Sequence, residues 1–291
     1  AAGWACLGDQ RGCIAVGVRE FWQNWPKSLE VAVASESDRN SQLRVGILPA
    51  FSSELYDGKP IREEAKLYYY LRGGVYSFKI GAARTHEVWA RFSAGRLDKG
   101  RLNTFFRATE KPLLAQCDPR YVRSTLAAGD LAVAEPKTKK HLGYEAWVNE
   151  LLECHLKDRR EQRSFGMLNY GDWYWARNDM WGNLEYDDAA GFFWQALRFQ
   201  DPEYFRQAVR GARHYIDVDT VSQHGHEDWE GRVWGHALGH SGGYYEAGTF
   251  HLNNYDMSDR IFHTGSSSPG HTRCEGVSLL YLLTGDIRAL E

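Results

Sequence analysis

The hydrophobic period of this chain changes once, and that change limits the folds open to it. Up to about residue 135, "CIAVGVREF", "LEVAVAS", "LRVGILPAF" and "KLYYYLRGGVYSFKIGAARTHEVWARF" read as strands rich in β-branched and aromatic residues. Gly73-Gly74 separates two such runs and signals a two-residue hairpin, because both central positions of a primed turn take positive φ. After about residue 143 the period becomes helical: Tyr144, Trp147, Val148, Leu151 and Leu152 fall at i, i+3, i+4, i+7 and i+8, one apolar face. Between the two regimes "AAGDLAVAEPKTKKHLG" breaks the pattern with Gly129, Pro136 and a basic run. The expectation is an α+β multidomain chain, with a β-sandwich-like domain over residues 1–138 and a helical domain over residues 139–291.

The helical half repeats one grammar. "DDAAGFFWQALRF" is followed by "DPEYFRQAVRGARHYI", with Asp201 placed as an N-cap and Pro202 where a first turn accepts proline. "GVSLLYLLTGDIRAL" has the same order, and aligning Asp201 with Asp286 superposes a long apolar helix, a break, an Asp cap and a second helix. Recurring helical hairpins of this kind predict a partial α/α toroid. Closing such a ring takes more chain than residues 139–291 supply. The chain also starts "AAGWACLGDQ" without an initiator methionine or a signal-peptide pattern, and stops at "TGDIRALE" just after a helix begins. A piece of a larger protein is expected, with Leu279, Leu280, Leu282 and Leu283 on the last full helix, part of which later hairpins would cover.

Charge and cysteines narrow the function classes. The formal net charge is -3 with no clustered basic face, so nucleic acid is not an expected partner. No stretch approaches the roughly twenty apolar residues of a membrane span. Five scattered cysteines without a CxxC pair indicate neither a zinc knuckle nor a disulfide framework. The 11 tryptophans, 16 tyrosines and 13 phenylalanines suit either sugar-stacking clefts or a ring-rich core.

The unusual polar loops lie in the helical half. "FGMLNYGDWYWARNDMWGNLEYDD" carries Asn169, Tyr170, Asp172, Arg177, Asn183, Tyr186 and Asp187. A second block, "HYIDVDTVSQHGHEDWEGRVWGHALGHSGGYY", adds His214, Asp217, Asp219, His224, His226, His236, His240 and Tyr244. His236, His240 and Tyr244 are spaced four apart, so a helix projects them from one face, either toward a substrate or into a buried ring cluster. HxxxH is also a metal spacing, but Ala237 stands where a zinc-protease helix needs its general-base Glu. Gly239 to Gly243 match GxSxG, yet the preceding strand and the downstream acid and histidine of a nucleophile elbow are missing. The acids Asp172, Asp179, Glu185, Asp187 and Asp188 offer two carboxylates for glycoside hydrolysis, or serve as helix caps.

The opening "GWACLGDQRGCIAVGVREFWQNWPKSLEV", then "LYYYLRGGVYSFKIGAARTHEVWARF", "YGDW…WGNLEYDD", "ARHYIDVDTV", "GHALGHSGGYY" and "EGVSLLYLLTGD" together resemble exo-rhamnogalacturonan lyase-like proteins. The resemblance implies a central β-sandwich followed by an α/α toroid, and β-elimination on a uronic-acid-containing polysaccharide or oligosaccharide. That reaction removes the C5 proton and expels the C4 oxygen. It needs a group to neutralise the carboxylate, a base, and an acid for the leaving oxygen. On residue chemistry Arg177, helped by Asn183, is the carboxylate clamp. His236 or His240 is the base and Tyr244 or Tyr170 the acid. Trp173, Trp175, Trp181 and Trp234 are placed to stack sugar rings, with Asn169, Asp172 and Tyr186 as further substrate contacts. No cofactor is expected for this chemistry, a divalent cation being the alternative. A glycoside hydrolase and a non-catalytic glycan-binding fragment are the competing readings.

Overall fold

β1 (Gly3–Gly8), β2 (Gly12–Val18) and β7 (Val88–Ala94) form an antiparallel sheet with β2 in the middle, pairing Trp4 with Gly17 and Val16 with Ala90. The computed structural model describes residues 3–34, 40–54, 69–72, 75–78, 81–134, 142–161, 163–173, 186–223, 230–233 and 272–290. Alternation in β2 sends Cys13 and Ala15 to one face, where helix α1 (Lys99–Glu110) covers them with Leu102 and Phe106. The helix comes close enough for Trp4 and Phe106 to stack at 5.5 Å. Gly17 allows this, since a Cβ there would stand 2.4 Å from the Phe106 ring. The opposite face leaves Val88 and Phe92 exposed, while Trp89, paired with Gly17, lies on the helix side and meets the Phe105 ring edge-on at 6.5 Å.

Among the described residues there are two further antiparallel pairs: β3 (Ser28–Ala32) with β4 (Gln42–Gly46), and β5 (Tyr69–Arg72) with β6 (Val75–Phe78). Arg72 opposite Val75 leaves two residues between the strands, the spacing expected of a hairpin; Gly73 and Gly74 themselves lie outside the described residues. Strands and helices are both present, as an α+β chain requires. One expectation is corrected: residues before 135 are not all strand. α1 and α2 (Pro119–Thr125) fall there, capped by Asp98, which accepts from the Arg101 N–H, and Asp118, which accepts from the Arg120 N–H. Among the described residues the covered face of the three-stranded sheet packs on a helix rather than on a second sheet. The expected boundary at residue 138 lies outside the described residues.

In the helical half α3 (Leu142–Glu161) buries Val148 and Leu152 against Ala196 and Tyr204, while Tyr144, Trp147 and Leu151 stay exposed. Two of the five residues of the predicted apolar face are thus buried. α4 (Asp188–Phe199) and α5 (Pro202–His214) make a tight hairpin, Gln200 taking a left-handed conformation and Asp201 capping α5 through the Glu203 N–H. α6 (Glu275–Thr284) packs on both, Leu279 and Leu280 meeting Ala189, Ala190, Phe193, Ala208 and Ala212. Small side chains permit that approach, and Asp187 secures it by accepting from the N–H groups of Ala190 and Gly276, both at 3.0 Å. After α6, Asp286 leads into a single 3₁₀ turn, Ile287–Leu290. Leu282 is 72% exposed and Leu283 37%.

α5 runs directly into a π-helical turn, Tyr215–Asp219. Its Asp217 reaches back to the strand-rich half: the Ala83 N–H donates to the Asp217 carbonyl at 2.9 Å, and Thr85 donates to the carboxylate. The N–H groups of Gly166 and Met167 donate to the Gln23 and Trp25 carbonyls at 2.8 Å. These bonds align one edge of the strand-rich half against α5.

Candidate functional site

The segment from Gly166 to Trp173 folds on itself before it meets the helices. The Asn169 and Tyr170 N–H groups both return to the Gly166 carbonyl, and the Asp172 N–H donates to that of Asn169. Gly171 has φ +121, and a Cβ there would stand 2.8 Å from both the Arg210 carbonyl oxygen and His214 Cβ. The chain therefore lies directly on the end of α5, and only glycine fits.

Five residues expected at a sugar site fall within the described residues. Asn169 and Asp172 are 1% exposed and Tyr170 is 3% exposed. The Tyr170 ring lies between the guanidinium groups of Arg159 and Arg210, 5.3 and 5.5 Å from its centre, and its hydroxyl donates to Glu20 at 3.2 Å. Burial, reinforced by the Glu20 charge, pushes the phenol well above its ordinary pKa. In this arrangement the hydroxyl serves Glu20. Trp173 pairs with the exposed ring of Tyr186 at 5.8 Å, and with Asp172 it borders a cavity of about 290 Å³. The same cavity is lined by His155, Asp158, Arg159 and Asp188. Burial, with Asp187 next to it, raises the Asp188 carboxyl to about 7. The remaining expected residues, Arg177, Trp175, Trp181, Asn183, Trp234, His236, His240 and Tyr244, lie outside the described residues.

A larger cleft of about 560 Å³ opens where the strand-rich half meets α5. Six arginines line it (Arg19, Arg84, Arg206, Arg210, Arg213 and Arg288) against four carboxylates, Glu20, Glu87, Asp217 and Asp286. The acids are held in ion pairs: Arg210 with Glu20 at 2.7 Å, Arg19 with Glu87 at 3.2 Å, and Arg288 with Asp286 at 2.8 Å. Burial opposes ionisation of Glu20 and Glu87, but the neighbouring arginines outweigh it and hold both below the ordinary glutamate value. Arg19, Arg206 and Arg288 each bury one side-chain nitrogen with no hydrogen-bond partner among the described residues, and Arg84 buries two. It donates through Nη2 to Asn24 and to the Tyr170 carbonyl, at 2.9 and 3.1 Å, while its Nε and Nη1 are buried with no hydrogen-bond partner among the described residues.

Two bases stand in the field of Arg84. Lys27, bonded to the Asn24 carbonyl, is lowered to about 7 by burial and then by the Arg84 charge. His86 is lowered to about 4 by burial, then by Lys27 and Arg84. A deprotonated imidazole and an amine titrating near neutrality thus lie beside a guanidinium with unused donors. That combination suits an anionic ligand and the removal of a proton near it.

With this geometry in place, comparison with known families bears on one end of the chain. Residues 1–49 match the family model described as PcRGLX-like protein central beta sandwich domain. The match takes in β1 to β4 and the cleft residues Arg19, Glu20 and Asn24, together with Lys27. No curated protein matches the chain. No helix among the described residues is long and apolar enough to cross a membrane.

The site residues expected from the sequence lie in the helical loops, whereas the strand-rich half also contributes to the cleft. Arg84, Thr85, His86 and Glu87 interrupt the alternation of "KIGAARTHEVWARF" with four consecutive polar residues. A half-buried strand has no use for such a run, and here it lines the cleft.

Proposed function

We propose that this chain contributes to a polysaccharide lyase that acts by β-elimination on a uronic-acid-containing glycan of the rhamnogalacturonan type. The observation that carries this reading is the arginine-lined cleft, in which Arg84 keeps two donors unused. A uronate carboxylate accepts two parallel N–H bonds from a guanidinium, and withdrawing its charge makes the C5 hydrogen removable. The ordered motifs from "GWACLGDQ" to "EGVSLLYLLTGD" and the family match over residues 1–49 support the same reading. Within it, Arg84 joins Arg177 and Asn183 as a carboxylate ligand, and Trp173 with Tyr186 supplies a ring platform. His236 or His240 takes the C5 proton and Tyr244 protonates the leaving oxygen. Those three assignments rest on residue chemistry and spacing.

One observation favours a second reading, a glycoside hydrolase. Asp188, held near 7, borders the Trp173 cavity together with the carboxylates of Asp158 and Asp172, and a carboxyl protonated near neutrality is what a glycosidase uses as its acid. Rhamnogalacturonan oligosaccharides separate the two. Elimination creates a conjugated double bond that absorbs in the ultraviolet, whereas hydrolysis releases reducing ends without that absorbance.

A further inference from the structure

We propose that Asp172, His214 and Asp219 form a buried site for one zinc-like divalent cation, which pins the Gly166–Trp173 segment to the end of α5. The inference does not depend on the lyase reading. One ligand atom from each residue lies within 4.8 Å of the other two, and all three side chains are at most 1% exposed. His214 Nε2 stands 3.6 Å from Asp172 Oδ2 and 3.6 Å from Asp219 Oδ2. Donors held about 2.0–2.2 Å from a tetrahedral zinc are about 3.3–3.6 Å apart, so the two spacings are those of ligands around one ion. They exceed the about 2.7–2.9 Å of a direct charge-assisted N–H to carboxylate bond.

The backbone is shaped to bring these groups together. His214 and Asp219 are five residues apart, and on a continuous α-helix they would project roughly 140° from one another. The π-helical turn over Tyr215–Asp219 closes residue i onto i+5 and returns Asp219 to the side of His214. From the other direction Gly171, where no Cβ fits, lets Asp172 reach the same point. The Trp173 N–H donates to Asp172 Oδ1 at 2.7 Å, which orients the carboxylate and leaves Oδ2 toward His214. Such an outer bond on a ligating carboxylate is usual at metal sites. An imidazole and two carboxylates suit zinc or a neighbouring first-row ion better than calcium, which takes about 6–8 oxygen ligands.

The test uses the whole chain, first stripped with a chelator and then titrated with Zn²⁺ alone, by calorimetry and by thermal unfolding, and in parallel with Co²⁺ read by visible absorption. The expected result is one Zn²⁺ per chain, a melting temperature raised by zinc, and tetrahedral Co²⁺ bands. Asp219→Asn and Asp172→Asn should each weaken Zn²⁺ binding by well over about tenfold and abolish those bands. If either variant does not fold, anomalous scattering from zinc-loaded wild-type crystals locates the ion and decides the matter. Wild-type protein that takes up no Zn²⁺, folded variants that bind it unchanged, or an ion located elsewhere would overturn the proposal and leave an Asp–His–Asp polar cluster. None of these outcomes bears on whether the protein makes an unsaturated sugar.

Discussion

Asp217 and Thr85, 132 positions apart, are joined by two hydrogen bonds: the Thr85 N–H donates to Asp217 Oδ2 at 2.8 Å and the Thr85 hydroxyl to Oδ1 at 2.9 Å. Arg288 adds an ion pair to the same carboxylate at 3.5 Å. Asp217→Ala removes both acceptors and should cost about 2–3 kcal/mol, the range for charge-assisted bonds whose partners are left inside. Urea unfolding should show a lower midpoint. An unchanged midpoint would mean that the two halves are held together elsewhere.

The Glu145–Arg198 pair tests a different balance. Both side chains are buried, 4% and 7% exposed, and they tie α3 to α4. Glu145→Gln leaves the guanidinium uncompensated and should destabilise by about 3–5 kcal/mol, whereas Glu145→Leu with Arg198→Met should recover most of that loss. Chemical denaturation of the parent and the two variants checks the order. A single variant as stable as the parent would contradict the pairing.

Lys27 supplies a pH dependence of definite sign. Its folded value is lowered from 10.5 to about 7. Between those values the unfolded chain binds the proton that the folded chain has released, so this group makes stability rise with pH. Below about 7 both states are protonated and the penalty of a partly buried ammonium is fully present. Lys27→Met should therefore stabilise most below neutrality, with the gain shrinking as pH rises toward 10.5. Melting temperatures of parent and variant across that range read it directly, and a gain independent of pH would exclude a lowered amine.

Arg84 makes the anion-binding claim local. Arg84→Met should weaken binding of galacturonic-acid oligomers by about 10- to 100-fold, the loss of one charge-assisted bidentate contact. Arg84→Lys should restore little, because an ammonium cannot present the fork. Calorimetric titration of folded variants measures both. Full rescue by lysine would reduce the role of Arg84 to bulk charge.

Some of this architecture was readable in residue order, for local reasons. The α4–α5 hairpin follows from Asp201, Pro202 and an apolar period that needs no distant partner. α1 and α2 interrupt β-rich runs that carry the stronger local signal, although Asp118-Pro119 repeats the Asp-Pro signal of 201–202. The cleft was out of reach for a different reason. Its guanidinium groups come from Arg19, Arg84, Arg210 and Arg288, which meet only once the strand-rich half is laid against α5. Likewise "ARHYIDVDTV" shows His214 and Asp219, but an α-helical reading sends them to different faces; the π turn that reunites them is a product of tertiary packing.

The central claim is chemical, and one assay addresses it most directly: ultraviolet absorbance and reducing ends followed together while the protein acts on rhamnogalacturonan oligosaccharides. The account predicts that both rise in step. His236→Ala or His240→Ala, and Tyr244→Phe, checked for folding by circular dichroism, should slow the rise by about 10²–10⁴-fold with little change in KM. Reducing ends that appear without absorbance, and that vanish in Asp188→Asn, would contradict elimination and assign the activity to the carboxylates beside Trp173.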